Sequence, residues 1–248
     1  MTETPKRHVV RRPAVVRKLL SLYEAPSYLE IGVCAGATFH KVEAPRKVAV
    51  DPEFRFDHEQ AQRDHPGTEY HQVTSDEYFG RIIAEDETFD VIFLDGLHTF
   101  EQTLRDLNNA LLHLQPHGVM LIDDVSPPTY LASLPDRETF FRVREWMGVT
   151  DKAWMGDVFK LVHFIETFHQ GLSFRTISNN HGQAVVWRER RPSVRERTVA
   201  DIGTLSFEQF VLEQSALRSA RFGVILRELR ARAGPAPPLR RPPDSPPP

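Results

Sequence analysis

One cysteine, Cys34, in 248 residues excludes any disulfide within the chain and points to a reducing, cytoplasmic setting. No stretch approaches the roughly 18 consecutive apolar residues of a membrane-spanning helix, and the N-terminus lacks the apolar segment of a secretory signal. An excess of one charge is lacking too. The 31 Lys and Arg against 34 Asp and Glu leave a formal net charge of −3, too balanced for a dedicated nucleic-acid binder. There are no internal repeats. What is present is an ordinary globular composition, 40% hydrophobic and 26% charged, in a length that suits one domain with additions.

The hydrophobic pattern alternates strand and helix over most of the chain. Strands are expected at Ser27–Val33, Lys47–Asp51, Glu69–Val73, Phe89–Asp95 and Gly118–Asp123, with helices at Ser75–Glu85 and Thr99–Leu114 between them. Repeated strand–helix units give a parallel sheet covered on both faces. Helix-like segments follow at Arg137–Met147 and Asp157–Phe168. Two last strands, Ser173–Ile177 and Ala184–Arg188, flank the turn-rich Ser178-Asn179-Asn180-His181-Gly182 and read as an antiparallel hairpin. The fold class is therefore α/β: a doubly wound, Rossmann-like seven-stranded sheet, mostly parallel with a C-terminal antiparallel hairpin. Ahead of this core domain (27–190) lies a basic helix over residues 9–24, a cap or lid within 1–26, broken near its start by Pro13 and stopped by Pro26. Its cluster Lys6, Arg7, Arg11, Arg12, Arg17 and Lys18 reads as a solvated face, with contact to an anionic partner as the alternative. Behind the core come a helical extension (191–233), with one long helix at 204–232 offered either to a second copy or back to the domain, and a Pro-rich tail (234–248) expected to be disordered.

The strand Phe89–Leu94 does not alternate with polar residues, so it is buried on both faces. It stops at Asp95, and His98 follows before Thr99 and Gln102, an S/T-x-x-Q capping box that opens the next helix. In open α/β sheets ligands bind outside the carboxyl ends of the strands. A second buried run, Val119–Ile122, stops at Asp123 and Asp124. In the usual strand order these two tips are neighbours, about 4.8 Å apart. Asp95, Asp123 and Asp124 would then repel one another unless protonated or neutralised, and an oxygen-seeking divalent cation such as Mg²⁺ is the economical answer. His113, His117, His163 and His169 have no metal-site spacing to these acids.

The first strand closes on Glu30-Ile31-Gly32-Val33-Cys34-Ala35-Gly36. Gly32 permits a sharp turn and Gly36 a close backbone approach to a ligand. Asp51 ends the next strand 21 positions after Glu30, where a carboxylate is placed to bind ribose hydroxyls. Cys34 stands where the dinucleotide fingerprint has its central glycine, which speaks against an NAD-binding oxidoreductase without removing it. Glu30, at the strand end, fits an amino group better than a phosphate.

In this order the residues resemble the class I S-adenosylmethionine-dependent methyltransferases over Ser27–Arg188. The resemblance implies that Glu30, Gly32 and Gly36 line the methionine part of the cofactor and that Asp51 binds its ribose. It also implies that Ser75 and Asp76 approach the adenine, although Thr74 with Glu77 is equally a capping box. Asp95 counts among the cofactor residues as well as the metal ligands. The Asp-x-x-base tip beside an Asp-Asp tip is similar to the metal-dependent O-methyltransferases of the catechol and macrocin types. In the catechol type the second pair is Asp-Asn and the base is lysine. This implies a Mg²⁺-dependent transfer of methyl to a hydroxyl of a small molecule (sugar, natural product or phenol). Asp95, Asp123 and Asp124 would be the ligands and His98 the base, with Asp95 and His98 the catalytic pair. A metal-independent methyltransferase with His98 alone, or with an amine acceptor, is the rival. Tyr130, Trp154, Asp157 and Lys160 are candidate acceptor contacts; against this, Asp157 suits a helix N-terminus and Trp154 a core. No nucleic acid and no membrane span are expected; a homo-oligomer is left open.

Overall fold

The computed structural model describes residues 9–232. In chain order the elements are α1 (Arg12–Leu20), β1 (Ser27–Ile31), β2 (Arg46–Val50), α2 (His58–Asp64), β3 (Thr68–His71), α3 (Ser75–Glu77), β4 (Phe89–Leu94), α4 (Phe100–Leu112), β5 (Leu114–Ile122), α5 (Arg137–Trp146), α6 (Lys160–Phe168), β6 (Leu172–Thr176), β7 (Ala184–Arg188), α7 (Val199–Gly203), α8 (Phe207–Leu212) and α9 (Phe222–Arg232). The sheet has seven strands in the order β3-β2-β1-β4-β5-β7-β6. β1 to β5 pair in parallel, and β7 runs antiparallel to both β5 and β6. The expected fold class holds. The Pro-rich tail, with Lys6 and Arg7, lies outside the described residues.

Apolar side chains leave both faces of the central strands. Leu29, Ile31, Ile92, Leu94, Met120 and Ile122 enter one core, into which α6 sends Leu161, Val162 and Ile165. Tyr28, Val91, Phe93, Val119 and Leu121 enter the other, closed by Val15, Val16 and Leu19 of α1 and by Ile225, Leu226 and Leu229 of α9. The unbroken apolar runs are the sequence trace of this two-sided burial. On α4 Leu107 is fully buried, with Phe100, Leu104 and Leu111 packed beside it. Glu101 and Arg105 pair at 2.6 Å on the opposite face.

Several expectations are corrected. Pro13 does not interrupt the first helix but sits in its first turn, where a missing N–H costs nothing. The Ser75–Glu85 helix is only α3 followed by a π-helical turn over Tyr78–Ile82. The 204–232 helix is broken into α8, a 3-10 turn at Gln214–Leu217 and α9. Ser206 and Gln209 form a capping box that starts α8, and Arg218, at φ +48°, ends the turn in the left-handed region. Burial of Phe210, Leu217 and Ile225 returns these pieces to the domain.

Register fixes the site. Ile31 pairs with Leu94 and Leu94 with Ile122, so three strands end level. Each ladder runs one bond further, with Asp95 N–H donating to the Ile31 carbonyl at 2.8 Å and Asp123 N–H to the Leu94 carbonyl at 3.0 Å. Ile92→Ala, at a fully buried position, is expected to cost about 2–5 kcal/mol. Leu112→Ala, at a position 75% exposed, is expected to stay within about 0.5 kcal/mol. Urea unfolding of the two variants checks the pair.

Candidate active site

Past β1 the chain turns at Gly32, with φ +89°. A Cβ there would stand 2.0 Å from the Asp95 carbonyl oxygen, so only glycine lets the two strand tips lie this close. Cys34 follows at φ +50° and Gly36 at +70°. Cys34 thus holds a left-handed backbone conformation that favours glycine, at a cost of about 1–2 kcal/mol. Asp51 braces this loop, accepting from Cys34 N–H and Glu53 N–H, each at 2.8 Å. Each carboxylate oxygen has a second lone pair, so bracing the loop leaves acceptor capacity for hydroxyls. Glu30 is buried under the turn at 2% exposure and accepts from the Tyr28 hydroxyl at 2.5 Å. Burial pushes its carboxyl up to about 8, against the opposing pull of the Tyr28 bond and of Lys47 and Arg12.

Ser75 and Asp76 meet one partner. Gln102 Nε2 on α4 donates to Ser75 Oγ at 3.2 Å, to Asp76 at 3.1 Å and to Asp106 at 3.1 Å. The Thr99–Gln102 capping box is therefore only half formed: Thr99 Oγ1 accepts from Gln102 N–H at 3.4 Å, while the Gln102 side chain reaches the α3 turn instead. Asp106, buried beside this bridge, is pushed up to about 6 by its burial. Thr74 caps the turn by accepting from Glu77 N–H at 3.2 Å.

The three acids converge as expected, but their counter-charge is Arg12, the first residue of α1. Its Nε forms a close ion pair with Asp123. Its other two nitrogens lie 3.7 Å from Asp95 and 3.8 Å from Asp124. His181, in the hairpin turn, places Nε2 at 2.7 Å from Arg12 Nε and 3.1 Å from Asp123 Oδ1. Arg12 Nε–H donates to that ring nitrogen. Asp123 is held below the usual carboxylate range despite its burial, because His181 and Arg12 favour its charge. Burial and the neighbouring Asp123 charge push Asp95 and Asp124 the other way, upward. One guanidinium is too little for three carboxylates. The first helix is thus not wholly the solvated surface element its sequence implies. Arg12 and His181 were missed because Arg12 lies far away in sequence inside a run of similar basic residues, and His181 sits in an ordinary turn.

His98 Nδ1 lies 3.0 Å from the Trp154 carbonyl, which can only accept, so that nitrogen carries a proton and Nε2 keeps the lone pair in the neutral ring. The imidazole stacks on the Trp154 indole, centroids 5.1 Å apart and planes 9° apart. Asp124 Oδ2 lies 2.8 Å from Nδ1. Burial works against the imidazolium, but the bond to Asp124, the Asp124 charge and the Trp154 carbonyl prevail, raising the His98 pKa above its ordinary value. Gly156 locks this loop: with φ +60°, a Cβ there would fall 1.6 Å from the His98 carbonyl oxygen.

Asp95, His98 and Asp124 can each offer a ligand atom within 4.8 Å of the others. Asp124 Oδ2 is buried without an aligned hydrogen-bond donor, and Asp124 holds φ +60°, a strained backbone that persists at functional sites. This is the donor set of a hard cation, which takes one or two carboxylates and keeps waters. Asp123, counted among the ligands from sequence, is not part of this group and instead anchors Arg12 and His181.

Of the acceptor candidates, Trp154 lines a cleft of about 830 Å³ together with Arg11, Arg12, Arg17, Lys41, Asp124 and His181. Asp157 and Lys160 do not line it. Asp157 accepts from Phe100 N–H at 2.7 Å, and Lys160 donates to Asp157 at 3.0 Å and to the Gly203 carbonyl at 2.8 Å. Tyr130 is exposed and meets Phe207 edge to face. Among the described residues no helix is long and apolar enough to cross a membrane.

Residues 29–125 match the model described as Methyltransferase domain, Methyltransf_24. No curated protein sequence matches the chain. Among solved structures, a candidate caffeoyl-CoA O-methyltransferase from Staphylococcus aureus is similar at 13% identity and TM-score 0.48, over 73% of this chain and 85% of that one. The O-methyltransferase TomG from Streptomyces achromogenes, solved with S-adenosylmethionine, is similar at 15% and 0.46, over 75% and 84%. MycE, a methyltransferase of mycinamycin biosynthesis solved with Mg and S-adenosylhomocysteine, is similar at 15% and 0.45, over 74% and 50%. At such scores the likeness carries nothing about substrate or mechanism.

Glu30 gives a pH prediction. Its folded-state value of about 8 lies above the ordinary 4.5, so the stability it contributes is full below about 4.5 and is lost as pH rises through about 8. Relative to Glu30→Gln, which abolishes this titration, the unaltered protein is expected to lose stability between pH 5 and pH 8.5. Urea unfolding at both pH values checks it, and parallel profiles would contradict it.

Proposed function

We propose that this chain, whose residues 29–125 match a methyltransferase domain, transfers a methyl group from S-adenosylmethionine to a hydroxyl of a small molecule with the help of a divalent cation, Mg²⁺ foremost. One observation carries the reading: two carboxylates and an imidazole converge within 4.8 Å at the ends of adjacent strands, beside the glycine loop. Asp95 and Asp124 would hold the ion. When bound, it lowers the pKa of an acceptor hydroxyl and orients its oxygen. The unaligned buried oxygen of Asp124 is the group with most to gain from a cation.

The chain's own residues do the rest. Gly32 and Gly36 let the loop backbone approach the methionine portion of the cofactor, Asp51 binds the ribose, and Ser75 and Asp76 border the adenine. His98, fixed by the Trp154 carbonyl and by the Gly156 backbone, takes the hydroxyl proton at Nε2. Asp123 is a positioning residue, holding Arg12 and His181 at the edge of the cluster. Trp154 walls the acceptor cleft.

The expected outcome is methyl transfer that stops in chelator and returns with Mg²⁺. Asp124→Asn should lower turnover by about 100-fold or more and weaken Mn²⁺ binding in calorimetry. His98→Gln should lower turnover similarly while leaving Mn²⁺ affinity within about threefold. The split between the two separates a proton acceptor from a ligand.

A metal-free version of the reaction is favoured by Arg12, which already sets a positive charge among the three acids. Under that reading chelator leaves turnover unchanged and Arg12→Ala abolishes it. Under the metal reading Arg12→Ala removes a competing charge, and Mn²⁺ binds about tenfold more tightly, the factor that 1.4 kcal/mol of relieved repulsion gives.

A further inference from the structure

Resting on the reading just proposed, we infer that the methyl acceptor carries an anionic group, a carboxylate or a phosphate, held apart from its reacting hydroxyl by Arg11, Arg17 and Lys41. The cleft of about 830 Å³ that borders Asp124 also has these three cations on its wall. It lies within the size range of small-molecule sites. Among the described residues Asp124 is its only acidic lining residue, and that carboxylate already faces His98 and Arg12. Among the described residues, none of Arg11, Arg17 and Lys41 lies within ion-pair distance of an acid. The nearest polar partner any of them finds is a backbone carbonyl: Arg17 Nη1 donates to the Lys41 carbonyl at 3.0 Å, tying the α1 side of the cleft to the segment after the glycine loop.

The three unpaired cations share their cleft with Arg12, which the acid cluster needs. An anion between them removes mutual repulsion without drawing Arg12 away. A neutral acceptor gains nothing there. The rest of the wall, with Pro13, Ala37, Trp154 and Met155 among its residues, is apolar and suits a ring or a short chain. The recognised molecule is therefore amphiphilic: a hydroxyl at the acid cluster, an apolar body against Trp154, and negative charge at the basic wall.

The test uses the full chain and two matched pairs of probes, 3,4-dihydroxybenzoate against catechol and phenyl phosphate against phenol, with binding read by calorimetry. Binding of S-adenosylhomocysteine is measured separately, so that failure of the methyltransferase reading shows as loss of that binding. At least one anionic probe should bind tenfold or more tightly than its neutral partner, and its affinity should fall as salt is raised. The carboxylate and phosphate arms identify which anion is preferred. In R11A/R17A that advantage should shrink about tenfold, and in R11E/R17E it should vanish, with S-adenosylhomocysteine binding unchanged in both. Equal affinity for charged and neutral probes, no binding of either anion, or an advantage that survives both double variants would each overturn the inference.

Discussion

The structure turns on a repulsion: three carboxylates brought together at the level ends of two buried parallel strands. β-Sheet register gives Asp95 and Asp123 no freedom to separate, because each N–H is the last rung of its ladder. Burial makes water a poor remedy. The molecule answers with Arg12 and with two histidines, and the answer is incomplete, leaving Asp95 and Asp124 displaced upward and a buried Asp124 oxygen whose near neighbour, His98 Nδ1 at 2.8 Å, is poorly aligned as a donor. In the proposed reaction, cation binding is the chemical use of that deficit.

The glycine loop and the acid cluster are mechanically one object. Gly32 touches the Asp95 backbone, and the cofactor-side turn and the acid tip cannot shift independently. Gly156 does the same for His98 from the far side. The proposed methyl transfer requires donor and acceptor to be aligned within about 3–3.5 Å, and these backbone contacts, too close for any other residue type, hold the geometry of the strand tips.

Much of this was legible in the sequence. Unbroken apolar runs ending in acid gave the central strands and the tips, and the turn-rich segment before Ala184 gave the antiparallel hairpin. What was not legible came from long-range placement. Arg12 looks like five other basic residues until α1 packs against β4 and carries it to Asp123. His181 lies in a turn that only acquires meaning when β7 lies beside β5. Asp157 and Lys160 looked like acceptor contacts because local pattern cannot distinguish a charge aimed at a cleft from one capping a neighbouring helix. The long C-terminal helix failed for a local reason instead: the Ser206–Gln209 box was overlooked.

We propose that Asp95 and Asp124 hold a divalent cation next to the glycine loop. The most direct test is a crystal grown with Mn²⁺ and S-adenosylhomocysteine, with anomalous scattering recorded at the manganese edge. The account predicts one strong peak within coordination distance of Asp95 and Asp124, with Arg12 moved off the cluster. An ordered S-adenosylhomocysteine with no peak there, and the Arg12 guanidinium still seated among the three acids, would contradict it.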